Sequence, residues 1–379
     1  MFLVLFILIL IAIYCQTLIW LLVGFSRLSR VKEQSGKDLS SFTVIIPFRN
    51  EEERILPLLE SLLNLEYETA LVEIILVDDA SKDNSVEMIE QKLGLSGLNW
   101  KIISNERHSG SPKKDAITAG IKAAKNDWII TTDADCSLPT GWLRHYDSKI
   151  RENKTVMICG PVSFYTKGES SLAAHYQMIE GIGLQGVTMG GFGLKRPLLC
   201  NGANLAFKKE VFEQVGGYAG NSDIASGDDI FLMDKIRKRY RGKIGFLKDS
   251  NAIVRTPVMS NWKGALQQRI RWASKTSRQK NGLSKFIASI IFITNILVVL
   301  CCIGIPALNW QFYHLLLMVT LGKIGIDLFF LFWANMFFKI KLNIGLTLLI
   351  SVVYPFIFSF IAIRSVFGRY QWKGRDFRR

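Results

Sequence analysis

Hydrophobic positions divide this chain into three zones. Residues 1–25 carry no charged side chain. Residues 286–363 are again strongly apolar, with few charges. Between them, about 35–261 mixes apolar and polar positions as a globular domain does. Inside that middle zone, short β-rich runs alternate with helical spacing. Phe42–Pro47 (FTVIIP) reads as a buried strand, and Asn50–Asn64 as a helix with Ile55, Leu58, Leu59 and Leu62 on one face. Val72–Val77 (VEIILV) is a second strand, followed by a helix that Ser81 or Asp83 would cap and that runs to about Leu93. Trp100–Ser104, a helix over Lys113–Ala124, and the strand Trp128–Thr132 complete the series. Such alternation predicts an α/β fold with a doubly wound, mostly parallel sheet.

Ligands of such sheets sit beyond the carboxyl ends of the strands. Two of the predicted strands end in acids there: Asp78-Asp79 after the second and Asp133-Ala134-Asp135 after the fourth. Either group alone could be turn or cap residues; both on one rim could meet one ligand. Two carboxylates one residue apart suit a hard cation, Mg2+ or Mn2+, that keeps water or phosphate ligands. A diphosphate leaving group carries charge that such an ion neutralises. Lys113 and Lys114 open a helix nearby, where positive charge and free N–H groups favour phosphate, although surface lysines would read the same. A third acidic pair, Asp228-Asp229, precedes a helix-like run and could be ordinary first-turn acids or hold a general base.

The first apolar zone exceeds the roughly 20 residues that cross a hydrocarbon core. It lacks the basic start and small-residue cleavage site of a signal peptide, so an uncleaved anchor over residues 1–25 is expected. Positive charge follows it at Arg27, Arg30 and Lys32, which places the middle domain in the cytoplasm. Net charge is +15, from 47 basic and 32 acidic residues. Much of the excess lies beside apolar zones, in a basic interfacial helix expected over 262–285 and in a basic tail, 364–379. Anionic headgroups account for it better than nucleic acid, and no nucleic-acid partner is expected. Six cysteines form no C-x-x-C pair, which leaves zinc and disulfide readings weak.

The C-terminal block, 286–363, holds apolar stretches at about 286–307, 311–338 and 343–363. Three spans would put the basic tail outside, against its charge. Two or three spans are therefore expected, one stretch being re-entrant or interfacial; Pro355 makes the last the suspect. Lys323 and Asp327, spaced i, i+4 in the second stretch, are expected to pair, or to serve an acceptor or lipid headgroup.

Taken in order, the motifs resemble the membrane-bound family 2 glycosyltransferases of GT-A fold, a group that includes ceramide glucosyltransferase, poly-N-acetylglucosamine synthase and hyaluronan synthase-like enzymes. The resemblance is carried by Val44-Ile45-Ile46-Pro47 with Asn50-Glu51-Glu52, Val77-Asp78-Asp79-Ala80-Ser81 with Asp83, and Lys113 with Ala116 and Gly120. It continues through Asp133-Ala134-Asp135, Asn201-Gly202-Ala203-Asn204, Gly227-Asp228-Asp229 and Gln268-Arg269-Ile270-Arg271-Trp272, which matches Q-[QR]-x-R-W in full. It covers about 42–275. It implies a GT-A nucleotide-sugar-binding domain over 35–261. Pro47, Asn50, Glu51 and Asp78 or Asp79 would line the nucleotide pocket, with Lys113 beside it. Asp133 and Asp135 would hold metal and diphosphate, and Asp229, with Asp228 before it, would be the base. Gln268, Arg271 and Trp272 would close over the diphosphate. Gly-Asp-Asp stands where Thr-Glu-Asp is common in the family. The implied reaction is inverting transfer from a nucleotide-sugar, expected to be a UDP-sugar, to a lipid or lipid-linked acceptor in cell-envelope glycan synthesis. A processive polysaccharide synthase acting on a glycan is the alternative; a transporter or an inactive scaffold fits less well. A bacterial inner membrane is the expected location, with membrane lipids as neighbours.

Overall fold

The computed structural model describes residues 2–31, 38–152, 154–166, 168, 171–221, 227–275, 281–304, 310–367, 370–372 and 375–377. Lys32, 276–280 and part of the basic tail, on which expectations were placed above, lie outside them.

An apolar helix α1 (Phe2–Arg27) leads into the central strand β1 (Phe42–Phe48). There follow α2 (Leu56–Leu63), β2 (Val72–Asp78), α3 (Ser85–Leu93), β3 (Trp100–Ser104), α4 (Pro112–Ala123), β4 (Trp128–Thr131) and α5 (Trp142–Glu152). Next come β5 (Met157–Cys159), β6 (Val162–Tyr165), α6 (Leu172–Gly193), β7 (Leu205–Lys208), α7 (Lys209–Gln214), α8 (Asp228–Arg239), β8 (Ile244–Phe246) and β9 (Val254–Pro257). The chain continues through α9 (Trp262–Ser274), α10 (Gly282–Gly304), α11 (Trp310–Phe338) and α12 (Ile344–Phe367), and closes in a hairpin, β10 (Tyr370–Trp372) and β11 (Arg375–Phe377).

Seven strands form one sheet in the order β3-β2-β1-β4-β7-β5-β8. The first four are parallel, β7 runs antiparallel between β4 and β5, and β6 pairs β9 separately. This is the α/β, mostly parallel sheet that the alternation of strands and helices predicts. Strands β1 and β2 are apolar on both faces because helices cover both. On one face Val44, Ile46, Ile74 and Leu76 pack with α2, α3 and α5. On the other, Ile45, Ile75, Val77 and Ile129 share a cluster with α4, α6 and the ends of α1, α11 and α12.

Local boundaries differ from the sequence pattern in instructive ways. The segment after β1 does not turn helical at Asn50: the helix starts at Leu56, with Pro57 in its first turn. Asn50 adopts φ 48°, which suits a turn and not a helix. Asn84, not Ser81 or Asp83, stands at the start of α3. The basic helix ends at Ser274, and residues 282–285 already belong to α10, so 262–285 is not one helix. Long α6 gave no clear periodic signal because it is buried nearly all round.

Four helices among the described residues, α1, α10, α11 and α12, are long and apolar enough to cross a membrane. Lys323 and Asp327 do pair, at 2.7 Å. Tyr14 of α1 donates to Asp327 at 2.5 Å, and the Lys323 ammonium lies 5.5 Å from the Tyr354 ring of α12. The charges thus tie three helices together. Helix α12 continues through Pro355. His175 of α6 meets Thr347 in its first turn at 3.0 Å, while Ile357 and Ile361 near its far end pack on α9.

Helix α6 is the seat on which α1 rests. Gly24 of α1 faces Gly190 and Gly193 of α6, and a Cβ on any of them would overlap the opposing backbone. Small residues let two helix backbones approach this closely. Gly193→Val should separate the helices and cost about 1–3 kcal/mol by overpacking. A lowered melting temperature of the detergent-solubilised protein checks it; an unchanged one would show the contact carries no stability.

Candidate active site

Three chain crossings set the rim. The carboxyl ends of β1, β2 and β4 lie side by side, with Phe48 opposite Asp78 and Ile45 opposite Thr131. The loops after β1 and β2 are stitched together. Asn50 N–H donates to Ser81 Oγ, Lys82 N–H to Asn50 Oδ1, Glu51 N–H to Ser85 Oγ and Glu52 N–H to Asp83 Oδ2, all at 2.7–3.1 Å. Asp78 and Asp79 then part company. Asp78 Oδ1 accepts the Ser81 N–H at 2.9 Å and so holds its own turn, in which Ala80 takes φ 58°. Asp79 lines the cavity beyond and accepts from Arg107 Nε at 2.7 Å and Asn105 Nδ2 at 2.9 Å. Arg107 and Asn105 follow β3 and had no motif to mark them.

On the other side of β1, Asp133 follows β4. Its Oδ1 accepts from Lys113 Nζ at 2.6 Å, and the same ammonium lies 3.5 Å from Asp228 Oδ2. Burial works against charge on Lys113, but Asp133, Asp228 and Asp229 outweigh it and hold the ammonium above the ordinary lysine range. Burial likewise opposes ionisation of Asp228; Lys113, Lys275 and Lys114 overcome it and keep the carboxyl below its usual value. Lys113 therefore bridges two acidic groups that lie far apart in sequence.

Asp228 and Asp229 open α8, behind Gly227 at φ 82°. Gly202 fits against them: its N–H donates to Asp229 Oδ2 at 3.3 Å, and a Cβ there would lie 2.9 Å from Asp228 Oδ2. Thr131 Oγ1 donates to the Gly202 carbonyl at 2.7 Å and fixes this loop to β4. Asn204 behind it is fully engaged: its amide donates to Pro161 and Ala252 carbonyls, and its Oδ1 accepts from Trp142 and Tyr146. The Asn-Gly-Ala-Asn motif is thus a brace for the acids.

Asp133, Asp135 and Cys136 bring their potential ligand atoms within 4.8 Å of one another. Burial pushes the Cys136 thiol up, so it stays protonated and is a poor partner for a hard ion. The two carboxylates fit Mg2+ or Mn2+, with the open cavity side left for water and phosphate oxygens.

Helix α9 forms the opposite wall. Gln268, Arg271 and Trp272 line the cavity. Arg269 turns inward and is 3% exposed. Its guanidinium pairs with Glu180 of α6 at 2.5 Å, donates to Gln177 at 3.1 Å and to Gln268 Oε1 at 2.6 Å, and lies 5.0 Å from the Trp272 ring. Sequence reading missed Glu180 because α6 showed no stripe. Pro47, Asn50 and Glu51 also line this cavity of about 1470 Å³; Asp78 does not. From the acids the cavity continues along Leu184, Val187, Leu198, Ile287, Ile291 and Phe358, between α6, α10 and α12.

Residues 43–216 match the Glycosyl transferase family 2 profile, and that segment is a family 2 glycosyltransferase domain. The chain is 25% identical over 243 residues to the probable glycosyltransferase YdaM of Bacillus subtilis, covering 63% of this chain and 56% of that one. It is 26% identical over 254 residues to the poly-beta-1,6-N-acetyl-D-glucosamine synthase of Staphylococcus epidermidis, covering 66% and 57%. A shorter match, 39% over 105 residues, joins it to the undecaprenyl-phosphate 4-deoxy-4-formamido-L-arabinose transferase of Proteus mirabilis, covering 27% and 31%. The chain therefore spans about half, or less, of the length of these relatives.

Glu180→Ala would leave the Arg269 charge buried without its carboxylate, at a cost of about 3–5 kcal/mol. Thermal unfolding of the solubilised protein measures it. A loss no larger than that of a surface Glu→Ala control would show that α6 does not hold α9.

Proposed function

We propose that this protein is a membrane-embedded, metal-dependent inverting glycosyltransferase that moves a sugar from a nucleotide-sugar, expected to be a UDP-sugar, to a lipid or lipid-linked acceptor. The observation that carries the reading is the convergence of Asp133, Lys113, Asp228 and Asp229 on one cavity, faced by Arg271 and Trp272. Nucleotide contacts fall to Pro47, Asn50, Glu51 and Asp79, with Asp78 shaping the loop that presents Asp79. Asp133 and Asp135 hold Mg2+ or Mn2+, which when bound offsets charge on the departing diphosphate. Lys113, Gln268 and Arg271 oppose the same charge from the protein side. Asp229 takes the proton of the acceptor hydroxyl, whose oxygen attacks the anomeric carbon as the bond to the diphosphate breaks. Attack from the face opposite the leaving group inverts the centre.

The acceptor reading rests on the apolar arm of the cavity. It runs from the acids toward helices long enough to meet a bilayer, and it suits a chain-bearing lipid whose hydroxyl reaches Asp229. The relative from Proteus mirabilis is named for undecaprenyl phosphate, in keeping with that class. The poly-N-acetylglucosamine synthase relative favours the alternative, a processive synthase acting on a glycan. We read α1, α10 and α11 as spans and α12 as an interfacial helix, because both its halves lie against α6 and α9 of the soluble domain. That course returns the basic tail to the cytoplasmic side of a bacterial inner membrane, as the positive-inside rule requires.

A donor screen with manganese and membrane lipid extract, read by mass spectrometry, tests the reading. Nucleotide diphosphate release should need the metal, and Asp229→Asn should lower transfer by about 100-fold or more while nucleotide still binds. Metal-independent release, or transfer by the Asn variant at the unmodified rate, would refute it. Ala288 of α10 also lines the cavity beside Ile287; Ala288→Trp, which narrows the apolar arm, should raise the KM for a lipid acceptor about tenfold and leave hydrolysis of the donor by water unchanged. An unchanged lipid KM would move the acceptor out of the arm and favour the glycan alternative.

A further inference from the structure

One contact in the cavity works against the proposed chemistry. Lys275, the residue that ends α9, places Nζ 3.3 Å from Asp229 Oδ1. The same oxygen accepts the Ile230 N–H at 2.7 Å, and Oδ2 takes the Gly202 N–H. Lys113, Tyr218 and Cys200 also lie within the field of this carboxylate. With the ammonium on this oxygen, the lone pair that a base needs for the acceptor hydroxyl is engaged. Lys113 cannot relieve it, since that ammonium already bridges Asp133 and Asp228.

The lysine is placed to serve a second anion. Arg271 lies one helical turn before it, so both cations sit on one face of α9 and both line the cavity. Its stem passes Gly227, where a Cβ would lie 3.3 Å from Lys275 Cδ. A compact charge on a flexible four-carbon stem can exchange partners.

We propose that Lys275 alternates between two anions: it rests on Asp229 while the nucleotide site is empty and moves to the diphosphate of a bound nucleotide, which frees Asp229 for the acceptor hydroxyl. This rests on the assignment of Asp229 as base made above. Its consequence is an ordered reaction, in which the base becomes competent only after the donor is in place. It also sets a cost on nucleotide binding, because the Lys275–Asp229 pair must open first.

The test is calorimetric binding of UDP and GDP, each with Mn2+, to the full-length protein in nanodiscs. Lys275→Met should weaken binding about tenfold, the loss of one charge-assisted contact. Lys275→Arg should stay within about threefold of the unmodified protein, since the charge is kept. Asp229→Asn should tighten binding by roughly threefold or more, because the lysine no longer has a resting partner to leave. In the double variant Lys275→Met/Asp229→Asn that gain should vanish, and affinity should equal that of Lys275→Met alone. A gain that persists in the double variant would reflect general charge removal and overturn the switch. So would an Asp229→Asn affinity that is unchanged or weaker, a Lys275→Met affinity equal to the unmodified one, or an unmodified protein that binds neither nucleotide. Melting temperatures of all variants verify folding. An Asp229→Asn protein that still transfers sugar refutes the base assignment itself; one that is inactive yet shows no gain in affinity refutes the switch alone.

Discussion

Crowded negative charge is the constraint around which the cavity is built. Asp133, Asp135, Asp228 and Asp229 come from two distant parts of the chain and meet at one rim. Two like charges about 4 Å apart repel by about 4 kcal/mol in a dielectric of about 20. Such a cluster persists only if cations and donors are fixed among the acids. Lys113 answers this between Asp133 and Asp228, Gly202 offers an N–H to Asp229, and Lys275 balances the same carboxylate. Each of these is held by something else: Lys113 by the start of α4, Gly202 by Thr131 of β4, Lys275 by the end of α9. The arrangement is ready to accept a divalent cation and a diphosphate, whose opposite charges would enter together.

The apolar helices pack into this domain. Helix α6 lies between the sheet and the apolar helices, and it holds both. Its glycines receive α1, and its Glu180 and Gln177 hold Arg269 of α9. Arg269 in turn touches Gln268 and Trp272, two of the cavity-lining residues on the same helix. The motif helix is therefore positioned by α6. A shift of α6 relative to the sheet would move Gln268, Arg271 and Trp272 relative to the acids. The apolar arm of the cavity opens beside the same helix, so one element borders both the arm and the motif helix.

Much of this was legible in the sequence. The runs FTVIIP, VEIILV and WIITT could only be buried strands, because both faces are apolar and the flanking segments are helical. Their order gave the parallel half of the sheet, and acids at their ends gave the rim. What failed to show was whatever burial on all sides erases. Helix α6 has no polar stripe, so its extent and its Glu180 went unread. The start of α2 was misplaced because Leu and Ile spacing continues into a turn that Asn50 and the Ser81 and Ser85 hydrogen bonds stabilise instead. The end of α9 was misplaced because basic residues continue past Ser274 without marking a boundary.

By itself, then, the sequence determined the α/β architecture, the apolar zones at both ends and the identity of the acidic groups and of the Gln-Arg-Ile-Arg-Trp motif, because periodicity and residue type are local properties. Tertiary structure alone decided which acid of Asp78-Asp79 reaches the cavity, that Lys113 joins Asp133 to Asp228, that Lys275 rests on Asp229 and that α12 packs against α6 and α9. These are meetings of residues from separate elements. They depend on distances across a fold, and no spacing along the chain encodes a distance through space.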